Sequence, residues 1–283
     1  MQRIRSVAEL REWRGPAGDV GFVPTMGALH DGHLALVERA VRDNEGAIAS
    51  IFVNPAQFGP NEDYRAYPRD EERDLALLER AGCHSVFLPS VAEMYPPGDD
   101  MRVVPGDIAS RLEGAARPGH FAGVCTIVAK LFGMVRPTRA YFGQKDFQQL
   151  RVLQTMVRSL ALDVRVVPCP IVRAADGLAL SSRNAYLGAD ERARALALSG
   201  GLLAAAKAWV QGERDATALR RTVEAVAHQA GSLEYVSVAD PVTLREVAGR
   251  AERAVISLAC RVGNARLLDN VLLGMTLDEL AEL

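Results

Sequence analysis

Cysteine is scarce in this sequence. The 283 residues contain four, Cys83, Cys125, Cys169 and Cys260, with no C-x-x-C pair and no H-x-x-x-H partner. That spacing argues against a zinc site. Each cysteine lies in an apolar stretch, so the expectation is four buried, reduced thiols in a cytoplasmic protein. An excess of charge of either sign is also missing. Lys+Arg number 33 and Asp+Glu 35, a formal net charge of −2, so no overall field would hold the chain to nucleic acid or to anionic lipid. Local basic sites remain open, because a phosphate pocket needs only one or two cations. Long hydrophobic runs are absent too. No stretch approaches the about 20 apolar residues of a membrane span, and Met1 to Arg5 is not followed by the apolar segment of an export signal. Internal repeats and low-complexity tracts are not found.

What remains is the composition of an ordinary globular protein, 49% hydrophobic and 24% charged, long enough to bury most of its surface. Short apolar runs at Val20 to Val23, Ala47 to Val53, Ser85 to Leu88, Ala140 to Phe142 and Val164 to Val167 read as strands buried on both faces. Helical spacing alternates with them, over Leu34 to Arg42, Asp70 to Ala81, Ala122 to Val135 and Asp146 to Leu160. This alternation predicts an α/β fold with a doubly wound parallel sheet. After about Val172 the character changes. Glu191 to Trp209 and Asp215 to Gln229 are Ala-rich helical stretches, Leu233 to Ala239 and Ala254 to Arg261 read as strands, and Thr276 to Leu283 as a short helix. The boundary is placed near Ile171 to Ala175, where Pro168, Pro170 and Asp176-Gly177 punctuate the chain. The expected domains are therefore residues 1–172 and a smaller α+β domain over 173–283.

Four segments carry chemistry. Pro24-Thr25-Met26-Gly27-Ala28-Leu29-His30-Asp31-Gly32-His33 follows a buried strand and precedes a helix. The N–H groups that open a helix, with its dipole, form a ready phosphate site. Gly27 and Gly32 allow close backbone approach, and His30 and His33 can donate to negative oxygens as charge develops on phosphorus. The plain alternative is a Gly-rich turn with two solvated histidines, but the strand–turn–helix setting favours a nucleotide. Leu180-Ser181-Ser182-Arg183-Asn184 brings two hydroxyls and a guanidinium, whose fork suits phosphate oxygens; taken alone it is a polar turn. Phe142-Gly143-Gln144-Lys145-Asp146-Phe147-Gln148-Gln149 is a second strand-to-helix turn. Lys145 offers a point charge there, and Asp146 is placed to cap the helix. Asn54, next to Pro55, puts an amide at the end of a buried strand. Gln57 follows it and can both donate and accept, which suits a substrate with adjacent hydroxyl and carboxylate groups.

In this order and at these spacings, the four segments resemble the pantothenate synthetase (pantoate–β-alanine ligase) family. So do Tyr67-Pro68-Arg69, Leu112-Glu113-Gly114-Ala115-Ala116-Arg117-Pro118-Gly119-His120-Phe121 and Leu267-Leu268-Asp269-Asn270. The resemblance covers nearly the whole chain. It implies a Rossmann-like nucleotidyltransferase fold of the HIGH type, a C-terminal domain that acts as a lid, and a homodimer. It also implies an AMP-forming ligase that joins pantoate to β-alanine through a pantoyl-adenylate, with ATP as substrate and Mg2+ accompanying it. By the same resemblance Met26, Gly27, Ala28, Leu29, His30, Asp31, Gly32 and His33 line the ATP site. Gly143, Gln144, Lys145, Asp146, Val172, Leu180, Ser181, Ser182 and Arg183 match further ATP contacts. Gln57, Gln149 and Met26 match the pantoate site, and Gln57 also borders the β-alanine path. His33 is the family's proton donor, and His30, His33, Lys145 and Arg183 are expected to share the phosphate charge. Asp74 lies where some members add a metal carboxylate, but its neighbour is Arg73 rather than a second acid, and no protein metal ligand is assigned. Gln144 stands where many members carry Glu, which puts a charged catalytic role there in doubt.

Two other functions fit parts of this pattern. One is transfer of AMP or CMP onto a phosphorylated acceptor. It would require extra cations for the acceptor phosphate, whereas Gln57 and Gln149 are neutral. The other is nucleotide binding without turnover, against which stands the full set of polar elements.

Overall fold

The computed structural model describes residues 1–15, 18–60 and 62–282. Chain contacts divide it into two compact units, one of residues 1–143 with 149–169, the other of 144–148 with 170–283.

The first unit is built on a six-stranded sheet of β1 (Gln2–Ile4), β2 (Val20–Thr25), β3 (Gly46–Ile51), β4 (Ser85–Phe87), β5 (Arg139–Gly143) and β6 (Arg165–Cys169). The strand order is β1-β4-β3-β2-β5-β6, and every pairing is parallel. The buried character of β2 to β5 explains the unbroken apolar runs, since helices cover such strands on both faces. Helices α1 (Val7–Arg14), α2 (Asp31–Asp43), α3 (Glu71–Arg80), α4 (Val91–Met94), α5 (Glu113–Ala116), α6 (His120–Val135) and α7 (Phe147–Ser159) connect the strands. One core cluster joins Val23, Val37, Ala49, Leu75, Leu78 and Val86. On α6, Phe132 meets Phe22 and Phe142 edge-on, each pair with centroids 6.4 Å apart.

The connection order fixes where a ligand belongs. From β2 the chain moves outward through β3 and β4; it then returns to the other side of β2 for β5 and β6. The switch point therefore lies between β2 and β5, and ligands of such sheets bind outside the carboxyl ends of the strands there. Those ends are Thr25, which leads into Met26-Gly27, and Gly143.

The second unit has an antiparallel sheet of β7 (Ser232–Ala239), β8 (Ala254–Val262) and β9 (Ala265–Leu273). It is packed with α8 (Ala189–Val210) and α9 (Ala216–Ala227), and α10 (Leu277–Ala281) ends the chain. Leu198, Leu202, Leu219, Val223, Ile256 and Leu258 form its centre. Gly263-Asn264 joins β8 to β9, with Gly263 at φ +56° as a tight hairpin turn requires. The helix expected over 276–283 is α10, and Leu283 lies outside the described residues.

Five elements were not expected from sequence: β1, α1, α4, α5 and β9. The four cysteines are free and buried, and burial pushes each thiol up, to about 12 for Cys125 and about 11 for the other three. Among the described residues, no helix is long and apolar enough to cross a membrane.

Candidate active site

In the first unit the site is organised by the turn between β2 and α2. Thr25 ends β2 buried; its hydroxyl donates to the Ser50 carbonyl at 2.7 Å and accepts from the Gly27 N–H at 3.2 Å. Gly27 (φ +79°) and Ala28 (φ +50°) are consecutive left-handed residues. A Cβ on Gly27 would stand 2.9 Å from Asp74 Oδ2 and 3.1 Å from Ile51 Cγ2, so glycine is required on both counts. Successive backbone N–H groups in a turn can converge on one point, a concavity that favours an anion.

In this structure a protein group occupies that position. The Ala28 and Leu29 N–H groups both donate to the Asp74 carboxylate, at 2.8 Å each. Asp74 is 1% exposed, and burial pushes its carboxyl above the ordinary value against the opposing effect of these donors. Arg73 adds a bond to the Leu29 carbonyl at 3.1 Å. The N-terminal half of α3 thus clamps the turn with one protein anion and one cation. With both oxygens on backbone N–H groups, Asp74 braces the turn. Among the described residues, no group of three His, Cys, Asp or Glu side chains could hold a metal ion.

His30 and His33 open α2 with ring centroids 4.1 Å apart. His30 is the cap: its Nδ1 accepts from the Gly32 N–H at 3.1 Å. A neutral His30 therefore carries its proton on Nε2. The arrangement places two imidazoles at the positive end of a 13-residue helix, at the switch point of the sheet.

The Gln57 region is a second cluster in the same unit. Asn54 caps the short turn Pro55–Gln57. Its Oδ1 accepts from the Tyr95 hydroxyl at 2.7 Å and the Ala56 N–H at 3.3 Å, and its Nδ2 donates to Gln57 Oε1 at 3.0 Å and the Gly123 carbonyl at 3.2 Å. Burial pushes the Tyr95 hydroxyl up to about 12, so it stays a donor. Gln57 Nε2 meets Met26 Sδ at 3.2 Å. The structure thus brings Gln57 together with Met26 and fixes which end of its amide faces which way. Gln149 lies half-buried on α7.

In the second unit, Gln144–Asp146 form a short 3-10 turn. Lys145 Nζ lies 3.6 Å from the Asp146 carboxylate. Gln144 Nε2 donates to Asn270 Oδ1 at 3.1 Å, and Asn270 Nδ2 donates to the Gln144 and Lys145 carbonyls at 3.0 and 2.9 Å. Val172 and Leu180 are joined, the Leu180 N–H donating to the Val172 carbonyl at 3.0 Å. Beyond them Ser181 caps the turn Ser182–Tyr186 by accepting from the Arg183 N–H at 3.3 Å, and Asn184 ties back to the Ala179 carbonyl at 3.1 Å. Arg173 makes a paired contact with Asp269, at 2.7 and 2.9 Å. Ser181 to Arg183 are therefore part of a capped turn.

Sequence reasoning gave no role to Tyr95, His120 or Arg117, and it read Asp74 only as a doubtful metal position. The motif around Arg117 and His120 was a signal of kinship without a chemical meaning.

Fold and turn together define the class: a doubly wound α/β protein whose histidine-bearing strand-to-helix turn sits where such sheets bind nucleotides. Within that class the chain belongs to the pantoate-beta-alanine ligase family, whose profile matches residues 2–272. It is 52% identical to the pantothenate synthetase of Herpetosiphon aurantiacus over 276 residues, covering 96% of this chain and all of that one. It is 54% identical to the enzyme of Chloroflexus aurantiacus, covering 96% of this chain and 98% of that one. The pantothenate synthetase structure from Thermus thermophilus superposes with a TM-score of 0.92 at 50% identity, covering 96% and 99% of the two chains. The pantoate-beta-alanine ligase from Francisella tularensis, complexed with beta-gamma ATP and beta-alanine, gives a TM-score of 0.78 at 31% identity over 98% and 99%. The chain is accordingly a ligase.

Proposed function

We propose that this chain condenses pantoate with β-alanine at the expense of ATP, releasing AMP and pyrophosphate, through a pantoyl-adenylate. The observation that carries the reading is the pair His30 and His33, in ring contact at the start of α2 at the switch point, in a chain kin to ligases over nearly its whole length.

In the first step a pantoate carboxylate oxygen attacks the α-phosphorus. The bond from that phosphorus to the bridging oxygen breaks, and pyrophosphate leaves with the electron pair. His33 and His30 donate to the phosphate oxygens as their charge grows, which lowers the barrier in the way of any preorganised donor. Lys145 and Arg183 neutralise the triphosphate and the departing pyrophosphate. Met26 to His33, Gly143 to Asp146, Val172 and Leu180 to Arg183 make up the nucleotide contacts, with the second unit serving as lid. The Ala28 and Leu29 N–H groups act there indirectly, by holding the turn on Asp74. Mg2+ enters with ATP as part of the substrate, held mainly by phosphate oxygens.

In the second step the β-alanine amine attacks the acyl carbon, the acyl–phosphate bond breaks, and AMP leaves; the amine sheds its proton. No protein nucleophile is needed, because the adenylate is already activated. Gln57, Gln149 and Met26 align pantoate, and Gln57 borders the amine's path; alignment of this kind is itself a large part of such a rate. The reaction is placed in the cytoplasm, in keeping with four unpaired buried thiols, and in a homodimer, by kinship.

The test is isotope exchange. With pantoate and no β-alanine, labelled pyrophosphate should enter ATP; with β-alanine added, AMP and pantothenate should appear in equal amounts. Absence of exchange would rule out a free adenylate, and absence of AMP would overturn the reaction itself.

A further inference from the structure

The first turn of α6 grips the Gln57 backbone, and the Asn54 amide is tied to the same turn through the Gly123 carbonyl. His120, the first residue of α6, is buried. Its Nδ1 lies 2.8 Å from the Gln57 carbonyl and its Nε2 lies 3.1 Å from Arg117 Nη1. A carbonyl oxygen can only accept and a guanidinium can only donate. The ring must therefore carry its proton on Nδ1 and none on Nε2. Arg117 is held in turn by Glu62, with Nε to Oε1 at 2.7 Å and Nη2 to Oε2 at 2.6 Å. One turn along α6, Gly123 lets the helix reach the same segment: a Cβ there would stand 2.2 Å from the Ala56 carbonyl oxygen and 2.6 Å from Gln57 Cα. Gln57 is thus fixed at three points, its side chain by Asn54, its carbonyl by His120 and its backbone by the bare face of Gly123.

We propose that His120, held as the neutral Nδ1–H tautomer between Arg117 and the Gln57 carbonyl, is a positioning residue that sets the Gln57 amide for pantoate, governing substrate affinity and not phosphate chemistry. The inference rests on the reading of Gln57 given under Proposed function. The charged groups facing the ring are Arg117, Glu62 and Glu113. Burial first, and Arg117 second, lower its pKa to about 4. Were the ring to take a second proton, it would turn an N–H toward a guanidinium and lose its acceptor role. The assembly is built to keep a histidine neutral through the range in which histidines ordinarily titrate.

The test has one arm that needs no turnover. Long-range proton–nitrogen spectra of the ligand-free protein at pH 7, with the His120 signals assigned by their loss in His120→Asn, should show a protonated Nδ1 and a bare Nε2. An Nε2–H tautomer or an imidazolium overturns the proposal even if the ligase activity stands. The kinetic arm compares two isosteres. Asn places a donor near the Nδ1 position and Gln places one near Nε2. His120→Gln should raise the pantoate KM by about tenfold or more, the scale of one lost hydrogen bond in a closed site, with kcat and ATP affinity little changed, and His120→Asn should recover most of that loss. Equal effects of the two, or a loss confined to kcat, overturn it. Arg117→Met should move the acid limb of the pantoate KM profile upward in pH, since a cation beside the ring is removed while Glu62 remains. A limb that stays in place, in a protein with the parent's melting profile, also overturns it. Failure of the parent protein to make product would strike the function and leave the tautomer result standing.

Discussion

At the scale of single residues, donors proposed for substrate stand beside donors already spent on the fold. His33 shares the start of α2 with His30, whose Nδ1 is committed to the Gly32 N–H. His33→Ala is expected to lower kcat by about a hundredfold, the size of losing one transition-state donor, with a smaller effect on ATP binding measured by calorimetry. A kcat near that of the parent would make His33 a packing residue. Gln144 carries a different expectation. A side chain that merely filled space at this turn could be amide or carboxylate alike. The structure shows that the side chain does fix the turn, and that the two are not equivalent. Asn270 spends its Nδ2 on the Gln144 and Lys145 carbonyls, so its Oδ1 faces residue 144 and needs a donor. A carboxylate offers none and sets oxygen against oxygen. Gln144→Glu should therefore lower thermal stability by about 1–2 kcal/mol near neutral pH, with no gain in kcat. Relative to the parent, part of the loss should return at acidic pH, where a protonated Glu can donate. A tenfold rise in kcat would restore a carboxylate role at this position.

At the scale of elements, the supports of the site come from segments distant in sequence, and this decides what the sequence could disclose. The apolar runs of β2, β3 and β5 and the periodicity of α2, α3 and α7 are local patterns, and they were legible. Strand β1 has three residues with only Ile4 buried, too short for any alternation. Strand β9 hides for another reason: Asp269 and Asn270 are 3% and 2% exposed, and buried polar residues interrupt the pattern of a strand because they serve Arg173 and the 144–145 backbone. The turn at Met26 to His33, between a buried strand and a helix, was legible from its glycines and its place in the pattern. Its brace was not, since Asp74 stands 45 and 46 residues from the N–H groups it accepts. The same holds for His120, which is 63 residues from Gln57. The brace can be tested. Asp74→Asn has one acceptor oxygen where the carboxylate has two, and its amide N–H would face a backbone N–H. The cost should be about 1–3 kcal/mol in chemical denaturation, and kcat should fall as the histidine turn loosens, with pantoate KM less affected. A stable variant with full kcat would show that the turn holds its shape without the carboxylate.

At the scale of the whole molecule, the residues proposed for the two kinds of substrate are distributed unevenly over the chain. Gln57, Gln149 and Met26 all belong to the first unit, whereas the nucleotide residues are drawn from both: Met26 to His33 and Gly143 from the first, Gln144 to Asp146, Val172 and Leu180 to Arg183 from the second. Each unit has its own sheet and its own apolar centre, so each can lose or gain local protection separately. Hydrogen exchange followed by mass spectrometry reads this directly. Saturating MgATP should slow exchange in peptides spanning 26–33 and equally in those spanning 144–148 and 180–186. Pantoate alone should act on peptides around 54–58 and 120–123, where Asn54, His120 and Gly123 hold the Gln57 segment, and leave 180–186 unchanged. At a concentration a hundred times Kd, a ligand adds about 2.7 kcal/mol to states that bind it, a slowing of up to about a hundredfold in segments whose opening abolishes binding. The contrast between ligands matters more than either change alone. If MgATP protects only the first unit, then Lys145 and the Ser181 to Arg183 turn take no part in holding the nucleotide, and the lid assigned to residues 173–283 has to be withdrawn. If pantoate protects 180–186 as strongly as ATP does, the second unit responds to the acid itself, and Gln57 and Gln149 cannot be its whole binding site.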